Sequence, residues 1–435
     1  MRKQSLKRQA MIITGGSVLV RAIGFFMRLW MSRLLGAETM GIVELAGGVH
    51  MLALAPAAAG LPGAVSRLTA KAADEKQQQR VLYAGKQLAT YLALLIMPVY
   101  LMLSPSIARW LGDGRTLPSL LFFAPCVLFI GLSSVYDGYC LGSSRALPPA
   151  MSELGEQIVR LSVLLSLTFL VPRVTAAWRA ALPAFAGLMG EGVGLIIVMA
   201  MAGRALSFRG DPGLRPLRKE LWALSLPMML NRLSHTGLRT LSGLMIPKLL
   251  MASGLSHSEA VSRLGMLNGM VMPLMFLPGL LAGSLAVVGG PAAARCKSPR
   301  ALRRLCLRTV LPALMAGLLC AAGIYVLSPF LAMRLYRLPE LAPLMAALCP
   351  MAVVLPVQQV LTGLMTGLGM QKQTLADSLL GAAVTLIATW RWTPVLGVIG
   401  AGYASLLGHG LALFCAAVRL GGRVFRGPAR MMEEA

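Results

Sequence analysis

The chain has 435 residues, of which 57% are hydrophobic and only 13% charged, with a formal net charge of +25 and a mean hydropathy of +0.72. This composition excludes an ordinary soluble protein. It also leaves no aqueous domain whose basic face would take nucleic acid, so phospholipid headgroups and an anionic substrate are the expected partners.

The N-terminus, MRKQSLKRQAMIITGG, has a basic flank and then an apolar run, as a secretory signal does. The run is too long and lacks a small-residue cleavage site, so it reads as a retained first span. A helix needs about 20 apolar residues to cross a bilayer. Such runs recur near 11–34, 41–62, 82–103, 117–141, 150–171, 180–203, 221–250, 264–290, 308–328, 341–368, 374–392 and 397–419, which predicts an all-α integral membrane protein of about twelve transmembrane helices.

Alternate connections carry the cations: Arg2, Lys3, Lys7 and Arg8; Arg67, Lys71, Lys76 and Arg80; Arg204, Arg209, Arg215, Arg218 and Lys219. The series continues with Arg295, Lys297, Arg300, Arg303 and Arg304, then Arg419, Arg423, Arg426 and Arg430. The intervening loops carry fewer, such as Arg109 and Arg115, or Arg173 and Arg179. The positive-inside rule then places both termini in the cytoplasm, and most of these cations read as topology determinants and headgroup contacts.

The stretch RGDPGLRPLRKE has the composition of a linker. It divides the chain into a six-helix lobe over 1–203, a cytoplasmic linker over 204–220, a second six-helix lobe over 221–419 and a cytoplasmic tail over 420–435. The lobes look alike. LSPSIARWL at 103–111 resembles LSPFLAMRLY at 327–336, and Pro125, Gly138 and Gly142 have counterparts at Pro350, Gly363 and Gly367. The glycines form GxxxG in both halves, a spacing that lets helices approach closely. Six spans separate related helices, so the expected relation is a parallel pseudo-two-fold along the membrane normal, around a central cavity.

Arg21 and Arg28 lie seven residues apart in the otherwise apolar LVRAIGFFMRLW. At 3.6 residues per turn they share a face, with Thr14, Ser17 and Gly24 on the same side. Arg232 and Arg239 repeat the spacing in span seven, with Ser225, His235 and Ser242 beside them. An arginine near mid-bilayer costs about 2.5–3.5 kcal/mol on insertion scales. A water-filled cleft removes that cost, and the planar guanidinium fork suits phosphate. Arg21, Arg28, Arg232, Arg239 and His235 are therefore the candidate substrate-binding residues, for a phosphate or pyrophosphate group. The opposing reading has Arg28 and Arg239 snorkelling to headgroups and Arg21 and Arg232 neutralised by Glu44 or Glu191. Glu44, Glu191, Glu156, Arg160 and Asp137 are candidate gating or counter-ion residues; Glu156 and Arg160 have the favourable i,i+4 order for a helical ion pair. Asn268, Gln358 and Asp377 are cleft candidates, whereas His50 and His409 read as isolated packing residues.

The seven cysteines form no CxxC pair and sit in apolar runs, so they read as small hydrophobes. No metal site and no cofactor are expected. GxxxxGK[ST], HExxH and GxSxG are absent, and four histidines and sixteen acids leave little material for acid–base catalysis.

VRAIGFFMRLWMSRLLGAETMG, GLPGAVSRLTAK, LSSVYDGYCLGSSRALPPAMSELGEQIVRLS, ALSLPMMLNRLS and LGVIGAGYAS together resemble the stage V sporulation protein B family. That family is related to the lipid II flippases of the multidrug/oligosaccharidyl-lipid/polysaccharide exporter superfamily. The resemblance implies a flippase of the bacterial cell membrane, not an enzyme. It would carry an undecaprenyl-pyrophosphate-linked saccharide, in sporulating bacteria a peptidoglycan precursor, from inner to outer leaflet by alternating access, with cell-wall synthesis enzymes as partners. Arg21 matches the family's first-helix arginine, Glu156, Gln157 and Arg160 match its EQxxR segment, and Arg232 falls at a family arginine position. Two departures stand out: about twelve spans where this branch usually has fourteen, and Asp137 where a basic residue is expected. Rival readings are a multidrug antiporter for organic cations, which four cavity arginines would repel, an integral-membrane transferase acting on lipid-linked substrates, and a structural scaffold.

Overall fold

The computed structural model describes residues 6–58, 60–170, 175–203, 206–208, 210–296 and 298–426. Arg2, Lys3, Arg173, Arg204, Arg209, Lys297 and Arg430 lie outside these residues, as do the side chains of Lys7, Arg8, Thr14, Ser17 and Arg426. Every regular element among the described residues is helical. The first six helices are α1 (Leu6–Ala58), α2 (Leu61–Lys71), α3 (Glu75–Leu111), α4 (Leu117–Gly142), α5 (Leu147–Leu170) and α6 (Ala176–Ala202). They are followed by α7 (Leu214–Ala252), α8 (His257–Leu264), α9 (Met272–Met275) and α10 (Gly279–Ala294). The last four are α11 (Pro299–Phe330), α12 (Leu341–Leu348), α13 (Met351–Gly367) and α14 (Gln371–Arg426).

The predicted spans are present, but several are joined or broken. α1 holds the first span and most of the second, turned at Gly36, whose φ of 76° only glycine adopts without strain. α14 joins the last two spans through Gly397 at φ 64°. The eighth span is broken: α8 runs through a π-helical turn at Gly265–Val271 into α9, and α10 then departs at 55°. The tenth is bent by 43° between α12 and α13, where Pro350 lacks the amide a continuous helix needs. Six described helices have the length and apolar composition of a membrane span, or eight if each bent pair is one span. α5 and α7 fall outside that set because they carry the charged residues of the candidate site.

Two compact units form. The first comprises residues 1–27 and 42–240, the second 28–41 and 241–435. These boundaries differ from the expected ones at 28–41 and at 221–240, and both differences have visible contacts. In the first unit, α7 lies on α1 and the segment after it: Thr240 Oγ1 donates to the Gly48 carbonyl at 3.2 Å, and a Cβ on Gly60 would stand 2.3 Å from the Ser225 carbonyl oxygen. In the second unit, residues 37–41 press on α8 and the π-helical turn, where a Cβ on Gly41 would meet the Val261 carbonyl oxygen at 2.0 Å and one on Gly265 the Ala37 carbonyl oxygen at 1.9 Å.

The core of the first unit is built by Leu61, Val65 and Leu68 of α2, Val81 and Leu82 of α3, Val135 and Tyr139 of α4, and Val198 of α6. The stretch expected as a linker is fastened to this core. Arg80 Nε lies 2.9 Å from Asp211 Oδ2 with its guanidinium 5.7 Å from the Phe208 ring centre. Gln79 donates to the Tyr139 hydroxyl at 3.0 Å and accepts from the Leu206 amide. Residues 214–220 are already the start of α7.

The paired GxxxG motifs perform the same packing task in each unit. A Cβ on Gly138 or Gly142 would lie 2.4 or 2.5 Å from the carbonyl oxygen of Pro62 or Ser66, so α4 meets α2 backbone to backbone. One repeat later, Gly363 and Gly367 bring α13 against Ala286 and Gly290 of α10, with 2.0 Å from the Gly367 Cβ position to the Gly290 carbonyl oxygen. Overpacking such a contact costs roughly 1–3 kcal/mol. Gly142→Ala and Gly367→Ala should each lower the thermal unfolding midpoint of the purified protein in detergent. Gly323→Ala, with nothing within 4 Å of the added carbon, should leave it unchanged or raise it.

Candidate functional site

The polar centre of the first unit lies between α4, α5 and α6. Small residues make it possible. The GLMGEGVG segment of α6 puts Gly190 and Gly194 against α5, with a Cβ on Gly190 falling 2.8 Å from the Glu156 carbonyl oxygen, and Ser152 Oγ donates to the Gly194 carbonyl at 2.7 Å. At that separation, side chains of α5 reach Glu191 on α6. Arg160 Nη2 donates to Oε1 of both Glu156 and Glu191, the latter at 3.0 Å, and Gln157 Nε2 donates to Glu156 Oε1 at 3.3 Å. The i,i+4 pair anticipated from the sequence is thus a triad of two carboxylates on one guanidinium.

Beside the triad is a cavity of about 410 Å³ lined by Ser133, Ser134, Asp137, Ser152, Glu153, Glu156 and Glu191 among others. Asp137 Oδ1 is buried there without a hydrogen-bond partner. Glu153 was not singled out by sequence reasoning. It lies one turn before Glu156 on α5, so the i−3 spacing was the available signal, and it is within electrostatic reach of Arg21.

The predicted phosphate-binding residues do not all fall in one unit. Arg21 is exposed on the N-terminal part of α1, in the first unit with Arg232 and Arg239, which are exposed on α7 with the half-buried His235 between them. Arg28 belongs to the second unit, where its Nη2 donates at 3.2 Å to the carbonyl oxygen of Asn268 in the π-helical turn. A π-helical stretch carries its hydrogen bonds one residue out of the α-helical register, and Arg28 binds one of its carbonyls. Asn268 thus meets an arginine through its backbone oxygen. Neither Arg21, Arg232 nor Arg239 has a carboxylate partner among the described residues. Glu191, weighed above as a neutralising partner for Arg21 or Arg232, is engaged by Arg160 instead. Glu44 is half-buried on the second part of α1.

The other polar candidates pair locally. His50 stacks on Phe123 with ring centres 4.2 Å apart and an interplanar angle of 9°, as a packing residue does. His409 is not isolated: its Nδ1 lies 2.9 Å from Gln358 Oε1. Asp377 is buried and accepts from Arg419 Nε at 2.9 Å, which accounts for it as a tie within α14. Cys126 and Cys140 are buried, and none of the seven cysteines is in a disulfide.

Removing one partner from a fully buried ion pair leaves an uncompensated charge, at a cost of about 3–5 kcal/mol, and the part-buried triad sits at or below the lower end of that range. Arg160→Gln should therefore destabilise the protein by up to about 3 kcal/mol, and Arg160→Gln combined with Glu156→Gln and Glu191→Gln should recover most of it. Denaturant unfolding in detergent reads both.

Comparison with known proteins bears out the resemblance and the fold class. The family model described as "Polysaccharide biosynthesis protein" matches residues 6–296. The chain is 26% identical over 431 residues to "Stage V sporulation protein B" of Bacillus subtilis (strain 168), spanning 94% of this chain and 82% of that protein. Among solved structures, "Lipid II flippase MurJ, inward closed conformation" has a TM-score of 0.75 at 12% identity, over 94% of this chain and 87% of that one. An inward-facing multidrug resistance MATE family transporter of the MOP superfamily has a TM-score of 0.74 at 17% identity, over 96% and 100%. At those identities the two solved structures establish a shared fold.

Proposed function

We infer function from one premise: the chain belongs to the polysaccharide biosynthesis protein family. On that premise it is a multi-pass membrane transporter, and its cargo is a lipid-linked saccharide. The finer reading is a flippase that moves an undecaprenyl-pyrophosphate-linked saccharide, a peptidoglycan precursor or related polysaccharide unit, from the inner to the outer leaflet by alternating access. Both termini are cytoplasmic in this reading, and cell-wall synthesis enzymes supply and consume the cargo.

The observation that carries it is the state of three arginines. Arg21, Arg232 and Arg239 are exposed on α1 and α7, and none forms an ion pair with a described carboxylate, Glu153 being within electrostatic reach of Arg21 alone. Facing lipid, each would cost about 2.5–3.5 kcal/mol; facing water, each offers two parallel N–H donors to a phosphate oxygen pair. His235, between two of them, adds a neutral donor or acceptor. Arg28, held by a backbone carbonyl in the second unit, serves there as a positioning residue in this scheme. The Glu156–Arg160–Glu191 triad and Asp137 belong to gating.

With the cytoplasm negative, outward transfer of an anion is favoured by about 2.3 kcal/mol per elementary charge per 100 mV. The cycle needs no nucleotide on that account.

A second reading draws on the acidic cavity. Asp137, Glu153, Glu156 and Glu191 outnumber Arg160 there, and such a lining suits an organic cation, as in a multidrug antiporter.

Proteoliposomes carrying lipid II separate the two. Loss of one charged hydrogen-bond partner is worth about 1.5–3 kcal/mol, so Arg21→Ala and Arg232→Ala should each slow translocation at least ten-fold while the fold stays intact. Arg→Lys at the same positions should fall between. Normal translocation in both alanine variants rejects the site, and uptake of a fluorescent organic cation that depends on Asp137 and Glu153 favours the antiporter. Collapse of an inside-negative potential should slow outward lipid II movement.

A further inference from the structure

α11 has two faces of different character. Leu302, Thr309, Ala313, Gly317 and Ala321 are buried, and the helix packs through them on its neighbours in the second unit. On the outer side, Arg300, Arg303, Arg304 and Arg308 are all exposed. None of the four has an ion-pair or hydrogen-bond partner among the described residues. Further along the same side come Leu311, 52% exposed, Met315, 61% exposed, and Leu319, 77% exposed. At 100° per residue, positions 304, 308, 311, 315 and 319 fall within about 80° of one another, so they make one continuous strip. It is cationic for its first turns and apolar beyond them.

The length of the helix places this change of character at the membrane surface. Ser298 caps the helix by accepting from the Ala301 amide, and the 32 residues that follow rise about 48 Å at 1.5 Å each. The hydrocarbon core is about 30 Å thick, which leaves about 9 Å beyond it at each end of a centred helix. Arg300 and Arg304 then lie in the headgroup layer. Arg308 starts a few ångströms deeper, and its side chain extends back towards the same layer. A topology signal needs cations near the span, yet it does not require them in register above the lipid-facing strip of the helix.

We propose that this strip is a binding site for an anionic phospholipid, its phosphodiester held by Arg300, Arg304 and Arg308 with Arg303 beside them, and one acyl chain lying along Leu311, Met315 and Leu319. A guanidinium binds a phosphate through a planar fork, and a zwitterionic headgroup, which carries its own cation next to the phosphate, gains less from the cluster. The strip shares no residue with the arginines of the proposed transport site, so the two ideas fail separately.

The test is native mass spectrometry of the full chain released from detergent, titrated with phosphatidylglycerol and with phosphatidylcholine. Wild type should retain phosphatidylglycerol in preference. R300Q/R304Q/R308Q should weaken that retention by about a hundred-fold, at the usual contribution of three surface arginines, and leave phosphatidylcholine unchanged. Arg304→Gln alone should weaken it by several-fold. Equal retention of the two lipids by wild type overturns the proposal, as does undiminished phosphatidylglycerol binding by Arg304→Gln and the triple variant. Displacement of phosphatidylglycerol by farnesyl pyrophosphate at far lower concentration also overturns it, since the strip would then dock a prenyl pyrophosphate.

Discussion

A guanidinium cannot be left in hydrocarbon without a partner or water, and it does not lose its proton to escape the cost. That constraint sorts this molecule. Arg160 meets it with two carboxylates, Arg28 with a backbone carbonyl of a π-helical turn, and Arg419 with Asp377. Arg21, Arg232 and Arg239 are exposed, and none is ion-paired with a described carboxylate, although Glu153 is within electrostatic reach of Arg21. A residue of the first kind is committed to holding the protein together, whereas one of the second kind has its donors available for a ligand. The division between paired arginines and those proposed to meet a ligand therefore follows from which helix supplies a bonding partner within reach.

Small residues decide that reach. Glu191 is within bonding distance of Arg160 because Gly190 and Gly194 let α6 approach α5 closely. Likewise, Gly41 and Gly265 let two backbones touch in the second unit, which places residues 28–41 close to the Asn268 carbonyl. Close approach of this kind is how membrane helices gain packing energy where no hydrophobic driving force acts between them. The polar chemistry depends on it as directly as the stability does.

Much of this was legible in the sequence. Twelve apolar runs, the duplicated GxxxG pairs and the Glu156–Arg160 spacing all specify local geometry, and local geometry is what periodicity reports. Contacts between distant segments were less accessible. Nothing in the spacing of Arg28 says that its partner is the carbonyl of residue 268, because a backbone acceptor leaves no mark on side-chain identity. The π-helical turn that presents it has the same composition as an α-helix. That Glu191 meets Arg160 is hidden for a similar reason: the sequence shows which charges exist, and the crossing of α5 with α6 determines which of them meet. The glycine, proline and charge content of 204–220 marks a linker, and composition does not report what a linker packs against. Arg80, Gln79 and Phe208 hold it to α3, and those contacts join residues more than 120 positions apart.

The two units share a packing plan but differ in charge balance. α5 and α6 meet through glycines in the first unit, and the two halves of α14 do so in the second, where a Cβ on Gly381 would lie 2.6 Å from the Gly408 carbonyl oxygen. In the second unit Asp377 accepts from Arg419 and Gln358 meets His409, each as a single pair. In the first, Asp137, Glu153, Glu156 and Glu191 line one cavity, and Arg160 binds only Glu156 and Glu191 of the four. A surplus of negative charge at a partly buried site is costly unless protons, water or a cation balance it, and a single acid–base pair has no such requirement. A duplication that served stability alone would be expected to resolve its charges alike in both copies. Here the shared glycine contacts supply the scaffold, and the acid-rich cavity sets the electrostatics of the first unit apart.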